Sequence, residues 1–200
     1  MVLASLAVEL LEATRSHDRP SEVLEDEDFS ESLPRRLGLS NVIDTQINRY
    51  QGAARAGRRI PMDEFISLLK LVLRRPDSEA ILRETGARIA QRHFDKSPRP
   101  GIGIVRVLPR AFSFVFVARA ARKLLRNITG TDHVDVRGKP LVVRLHQPAT
   151  AMLEPAGTTC ALYGSAFEAI SSLYLGKKTK VTHSRCVING GSICEWTLDA

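Results

Sequence analysis

The sequence predicts an α+β protein with a four-stranded antiparallel sheet, helices packed on one side of that sheet, and a helical N-terminal half. Three observations support this class. Apolar residues recur at helical spacing through the first half of the chain, two pairs of strand patterns occur near the C-terminus, and a short helix pattern separates the pairs. This order favours an antiparallel sheet with the helices segregated to one side.

The N-terminal segment, residues 1–33, is predicted to be an acidic helix followed by a linker. Apolar residues from Leu3 to Leu11 follow helical spacing, whereas Ser16–Ser32 is polar and contains a proline. Residues 1–33 hold nine acidic and two basic side chains, although the whole chain carries a net charge of +7. We therefore expect residues 34–200 to form a basic domain, which could attract an acidic protein, nucleic acid or an anionic membrane surface. A solvated basic face is the simpler interpretation.

Three further helices are expected before residue 95. Ser40 can cap a helix that runs to about Gly52, and Pro61 opens a second helix that ends before Pro76. A third helix is predicted from Glu79 to about Phe94, and Gly86 lies in its middle. Glycine there costs about 1 kcal/mol relative to alanine, and a close approach by another element would explain it. Ser97–Gly103 then links these helices to a long apolar segment, which is interrupted by a proline and spans Ile104–Asn127.

The C-terminal third carries the strands. Val134–Val136 and Leu141–Leu145 read as one antiparallel pair, and Lys180–Ile188 and Ser192–Leu198 as a second pair. Asn189, Gly190 and Gly191 connect the second pair, and these residue types tolerate the positive φ that a tight hairpin needs. A helix over Cys160–Leu175 lies between the two pairs, with Gly176 as its C-terminal cap.

All three cysteines of the chain, Cys160, Cys186 and Cys194, lie in this last region. The hairpin brings Cys186 near Cys194, and a helix packed on it could add Cys160 from its first turn. Three converging thiols would form most of a zinc site, although three small core residues are the alternative. An odd number of cysteines fits a reducing, cytoplasmic setting better than a disulfide framework.

This region resembles the 4-vinyl reductase domain family. The residues that carry the resemblance are Cys160, Tyr163, Gly164, Phe167, Cys186, Gly190, Gly191, Cys194 and Trp196. The family includes bacteriochlorophyll 4-vinyl reductases and hydrocarbon-binding sensor domains of bacterial activators, and its fold is shared with vesicle-tethering subunits and haem-based nitric-oxide sensors. The resemblance implies a structural zinc ion held by the three cysteines and one upstream acidic residue, next to a pocket for a hydrophobic molecule.

The fourth zinc ligand departs from the family pattern, because the stretch before the first cysteine, GKPLVVRLHQP, has no acidic residue. We expect His146, at the end of a strand, to take its place, since neutral imidazole suits zinc. His183 would face away from Cys186 if the strand alternates regularly. The remaining alternatives are Asp135, His133 and Glu154.

The pocket is expected to be lined by aromatic side chains that the helices and the last strand bring together. Small-molecule sites are mostly apolar, but aromatic residues at helical spacing more often pack in a core. The expected lining residues are Phe112, Phe116, Tyr163, Phe167 and Trp196.

These features favour a non-enzymatic module that binds a hydrophobic, aromatic or tetrapyrrole-like molecule and acts through a partner. The family name implies the alternative of an enzyme or accessory in bacteriochlorophyll 4-vinyl reduction, but the sequence carries no dinucleotide fingerprint for a hydride donor. A structural, partner-binding subunit is the second alternative. We expect a homodimer with no transmembrane segment, and nucleic acid is the less favoured partner.

Overall fold

The computed structural model describes residues 1–18, 42–96 and 110–199, and within them the expected α+β class is confirmed. Its helices are Ala4–His17 (α1), Val42–Arg55 (α2), Met62–Leu73 (α3), Ser78–Asp95 (α4), Arg110–Thr129 (α5) and Cys160–Leu175 (α6). Its strands are Val2–Leu3 (β1), Arg59–Ile60 (β2), Val134–Arg137 (β3), Val142–His146 (β4), Lys180–Arg185 (β5) and Ile193–Asp199 (β6).

The main sheet is antiparallel in the order β3-β4-β6-β5, so β5 lies at one edge. Its inner face packs under α5 and α6 and carries alternate apolar residues, as period-two patterning requires. The opposite face is polar and carries ion pairs such as Arg144 with Glu195, whose nearest atoms are 2.6 Å apart. The buried strand residues are Val134, Val136, Val143, Leu145, Cys194, Trp196 and Leu198.

Helix α1 is an integral part of the core. Its small residues Ala4, Ala7 and Ala13 are as fully buried as Leu6 and Leu10, so the helix is enclosed on several sides, chiefly by α2 and α4. Strand β1 just before it pairs with β2, which holds the N-terminus on the body. The apolar side chains of α1 are therefore not available as a dimer surface, and α1 shares one core with the helices that follow it.

Helices α4 and α6 approach each other closely at Gly86. A Cβ atom at this position would lie 2.0 Å from the Ser165 hydroxyl and 2.4 Å from the Leu162 carbonyl oxygen. No side chain can be accommodated at such distances, so the glycine lets the two backbones come together. This contact explains the glycine in mid-helix and fixes α6 on α4.

Several sequence predictions fall outside the described residues. The boundary at residue 33, the proline-containing linker beyond residue 18 and the link Ser97–Gly103 belong to this group, and so does the side chain of Phe112. Among the helices of residues 1–18, 42–96 and 110–199, none combines the length and apolar character needed to cross a bilayer.

Candidate metal centre

The first cysteine is held at the start of α6 by the loop that precedes the helix. The Cys160 amide donates to the Gly157 carbonyl oxygen at 2.9 Å, and the Thr159 hydroxyl donates to the Thr150 carbonyl oxygen at 2.8 Å. The hydroxyls of Thr150 and Tyr163 are 2.5 Å apart, which ties the loop to the second turn of the helix. Loop and helix together therefore fix where the Cys160 sulfur points.

The other two cysteines come from the last hairpin, whose geometry differs from the predicted tight turn. Strand β5 ends at Arg185 rather than Ile188, and a one-turn 3₁₀ helix over Val187–Asn189 follows. Gly190 then closes the turn at φ +81°, in the left-handed region that favours glycine. As a result Cys186 lies just before the 3₁₀ turn, and Cys194 lies inside β6 on its buried face.

The three sulfur atoms form a compact triangle. Cys160 Sγ lies 3.6 Å from Cys186 Sγ and 3.9 Å from Cys194 Sγ, and the third separation is 3.8 Å. These distances exceed the disulfide bond length of about 2 Å, so the cysteines are free thiols, and all three are buried. The prediction that the three thiols converge from helix and hairpin is confirmed.

The fourth residue of the cluster is His183, not the expected His146. The ligand atoms of His183 and the three cysteines all lie within 4.8 Å of one another, so the group could hold one metal ion. His146 is exposed at the end of β4, opposite Ile193. None of Asp135, His133 and Glu154 belongs to this four-residue group.

A β-bulge explains why His183 faces inward. His183 pairs with Trp196 and Arg185 pairs with Glu195, so Ser184 is an extra residue in β5. One extra residue reverses the alternation, which puts His183 on the same face as Cys186 although the two are three positions apart. The expectation that His183 faces away was wrong because it assumed regular alternation along the strand.

The sequence held a signal for this bulge. Val181 is an apolar strand residue opposite Leu198, so its face is the inner one, and His183 shares that face by simple alternation. Counting back from Cys186 gives the opposite answer. Val181 and Cys186 both face inward although an odd number of positions separates them. A regular strand cannot place both on one face, so this pair indicates an inserted residue between them.

Hydrogen bonding within the triangle shifts the thiol pKa values in opposite directions. The hydrogen bond from Cys160 to the Cys194 sulfur raises the pKa of Cys160, and burial raises it further. The same hydrogen bond lowers the pKa of Cys194, assisted by His183 and by the backbone N–H of Val187, although burial opposes this shift. A buried group of three sulfurs therefore favours one thiolate at most unless a cation offsets the charge.

Aromatic residues pack against His183, the fourth residue of the cluster. The His183 ring stacks on Trp196, and Trp196 makes an edge contact with Tyr163 at a centroid distance of 6.0 Å. A Cβ atom on Gly164 would lie 3.0 Å from Trp196 Nε1, so the glycine makes room for the indole. Tyr163, Gly164 and Trp196 therefore pack beside the group formed by His183 and the three cysteines.

The expected aromatic pocket lining is not brought together by the described residues. Tyr163, Phe167 and Trp196 are buried in the core, whereas Phe116 is 46% exposed on α5. A cavity of about 50 Å³ lies elsewhere, between α1, α4 and α5, and a shallow groove of about 390 Å³ has a polar lining on α1 and α4. Neither uses these aromatic residues, and the first is much smaller than the few hundred Å³ of a usual ligand pocket.

No protein-family model, curated protein or solved structure matches this chain. The candidate site therefore stands on its own geometry, which is three buried thiols and one exposed imidazole converging from α6, β5, β6 and the turn between the two strands.

Proposed function

We propose that this protein is a non-catalytic binding module whose C-terminal half is held together by a structural zinc ion. The observation that carries the proposal is the cluster of Cys160, His183, Cys186 and Cys194, whose ligand atoms all lie within 4.8 Å of one another. Thiolate and imidazole are the ligands that zinc prefers, and three cysteines with one histidine form a common structural set.

The sulfur triangle supports zinc by its dimensions. Four ligands at the corners of a tetrahedron, with zinc–sulfur bonds of about 2.3 Å, place neighbouring sulfurs about 3.8 Å apart. The separations here are 3.6, 3.8 and 3.9 Å. The cysteines would bind as thiolates, and the zinc charge would offset the repulsion that otherwise keeps them protonated.

A structural role follows from the number of ligands. Catalytic zinc sites usually have three protein ligands and keep a fourth position for water or substrate, whereas four protein ligands close the site. The ion would join the first turn of α6 to β5, β6 and the turn between them, elements that are separated by up to 34 residues along the chain. Such a cross-link favours the folded state by restricting the unfolded chain.

The resemblance to the 4-vinyl reductase family supports a hydrophobic or tetrapyrrole-like ligand that is sensed or carried through a partner. The positions of Tyr163, Phe167 and Trp196 in the core give this part of the proposal no support of their own. Native mass spectrometry of the protein as isolated tests it directly. A retained small molecule in the mass spectrum would support a ligand carrier, and a bare chain mass that persists after incubation with porphyrins, phenols and fatty acids would contradict it.

The zinc part of the proposal is tested by unfolding with and without a chelator. Wild type should melt at a lower temperature after zinc removal, whereas Cys186→Ser should melt at the lower temperature under both conditions. Cobalt(II) substitution then tests whether the site is closed, because added cyanide or azide should leave the cobalt spectrum unchanged. A spectrum that responds to these anions would show an open position and would contradict the non-catalytic role.

A further inference from the structure

Helix α5 presents an unusual outward face, which we call the α5 outer face and define by Val115, Phe116, Arg119, Lys123 and Arg126. All five residues are exposed, and the two apolar ones are exposed by 65% and 46%. At about 100° per residue these positions fall within about 100° of the helix circumference, opposite the side that packs in the core. The face is apolar at its N-terminal end and cationic at its C-terminal end.

All charged residues of the α5 outer face are positive. Helix α5 contains no aspartate or glutamate between Arg110 and Thr129. Exposed Asp132, after the helix, lies 3.5 Å from Arg126, at the far end from the apolar residues. Arg122 lies at the edge of the face and donates a hydrogen bond to the Val136 carbonyl oxygen at 2.8 Å. Its guanidinium group therefore lies between α5 and the edge strand β3.

The neighbouring helix α4 extends the positive surface. Lys96, which directly follows α4, is exposed. Burial lowers the pKa of His93 on α4, and the positive charges of Lys123 and Lys96 lower it further. Lys123 of α5 and Lys96 after α4 therefore both act on His93, so the end of α4 adds positive charge beside the α5 outer face.

We propose that the α5 outer face docks the protein on an anionic lipid surface. A bilayer with acidic headgroups offers negative charge at the level of Arg119, Lys123 and Arg126 and an apolar layer below it for Val115 and Phe116. The binding is peripheral, since α5 keeps its other side in the protein core.

Lipid fits this face better than nucleic acid does. A helix that reads nucleic acid presents polar side chains to the base edges. The phosphate backbone provides no apolar contact for the exposed side chains of Val115 and Phe116. The face is also a convex helix surface rather than a groove, so it suits a broad, soft surface better than an inserted peptide. The combination of cations and protruding apolar side chains carries the assignment.

The expected strength follows from the number of cations. Each lysine or arginine near an anionic membrane contributes about fivefold to partitioning, so three contribute about a hundredfold. Salt screens this contribution, because the Debye length falls from about 10 Å at 0.1 M salt to about 3 Å at 1 M. Insertion of Val115 and Phe116 adds a contribution that salt does not weaken.

The test is co-sedimentation of the full chain with vesicles of phosphatidylcholine alone or with roughly one third phosphatidylserine. We expect binding to the anionic vesicles only, and a loss of about a hundredfold or more in Arg119→Glu/Lys123→Glu/Arg126→Glu. The matched control is Lys177→Glu/Lys178→Glu/Lys180→Glu, which changes the net charge equally at exposed positions after α6. This control should keep most of the binding.

A second variant separates insertion from charge attraction. Val115→Ser/Phe116→Ser should fold like wild type because both side chains are largely exposed, and it should lose the part of vesicle binding that survives high salt. Wild type that ignores anionic vesicles, or equal losses in the two triple variants, would overturn the proposal. Retained vesicle binding by the α5 triple variant would overturn it as well, and so would binding to an acidic protein or RNA in place of the vesicles.

Discussion

The imidazole of His183 stacks face to face on the indole of Trp196, with ring centroids 4.7 Å apart and planes inclined by 10°. The two residues are also direct partners in the β5–β6 ladder, so backbone register and ring stacking hold the histidine in the same place. His183 is exposed, and Trp196 is the fixed surface against which its orientation is set. The indole is therefore a positioning residue for the fourth ligand of the proposed metal centre.

Loss of this stacking should weaken metal binding without removing a ligand. We expect Trp196→Leu to bind zinc about 10- to 100-fold more weakly than wild type, as supporting residues around metal ligands commonly do. Trp196→Phe keeps an aromatic surface and should lose less affinity. Competition with a chromophoric chelator measures both variants, and equal zinc affinity in Trp196→Leu and wild type would show that the stacking does not position His183.

The bulge at Ser184 makes a second prediction. Deletion of Ser184 should leave His183 and Cys186 two positions apart in β5, where regular alternation keeps both on the inner face, so the deletion variant should still bind zinc, unlike His183→Ala. Ser184→Ala is the control, because it removes the hydroxyl contacts with Glu195 but keeps the extra residue. If the deletion variant loses zinc as His183→Ala does while Ser184→Ala keeps it, then the register that places His183 opposite Trp196 is wrong.

Alanine substitutions at Gly86 and Gly52 should change the free energy of unfolding in opposite directions. Gly86→Ala forces a methyl group against the α6 backbone, and we expect it to lower the free energy of unfolding by about 1–3 kcal/mol or more. A methyl group added to Gly52 in α2 would have nothing within 4 Å, so Gly52→Ala should raise the free energy of unfolding by about 0.5–1 kcal/mol. Urea unfolding of both variants gives the comparison, and a neutral Gly86→Ala would rule out the close α4–α6 contact.

The buried carboxylate of Glu9 predicts a specific pH dependence. Burial raises the pKa of Glu9, although Arg92, 2.7 Å away, and Arg88 oppose the shift. A raised folded-state pKa means that the stabilising contribution is present below the ordinary value of 4.5 and is lost as pH rises through the folded-state pKa. Glu9→Gln should therefore gain stability relative to wild type as pH rises from 4 to neutrality.

Asp77 provides the control, because its pKa is shifted in the opposite direction to that of Glu9. Its hydrogen bond with Arg75 lowers the pKa of Asp77 below 3.8, so its stabilising contribution is present above that pH and is lost in acid. Asp77→Asn should lose stability relative to wild type at neutral pH and approach it as pH falls. If thermal unfolding shows that both variants gain stability relative to wild type as pH rises, the Asp77 assignment is wrong, and if it shows that both lose stability, the Glu9 assignment is wrong.

Local patterns in the sequence predicted the fold class and the element that carries Cys160. Helix α6 begins and ends where expected, because its apolar spacing is unbroken and Gly176 ends it at φ +67°. The approach of Cys186 to Cys194 was also predictable, since a hairpin brings these two residues together whatever the details of its turn. These features depend on interactions between residues close together in the chain.

Features that depend on long-range packing could not be predicted in the same way. Apolar spacing in α1 indicates one buried stripe, yet Ala4 and Ala13 are completely buried because other helices enclose them. Aromatic residues such as Phe167 and Phe116 have similar spacing signals, but one is in the core and the other on the surface. Periodicity shows which side of an element is apolar and does not show what lies against it.

The metal content of the purified chain tests the central claim most directly. Elemental analysis should find about one zinc per wild-type chain, and less than about half as much in Cys186→Ser and His183→Ala, because each variant loses one of four ligands. His146→Ala should keep the full zinc content, since His146 lies outside the four-residue group. Wild type with little zinc, or zinc that depends on His146 and not on His183, would contradict the proposed centre.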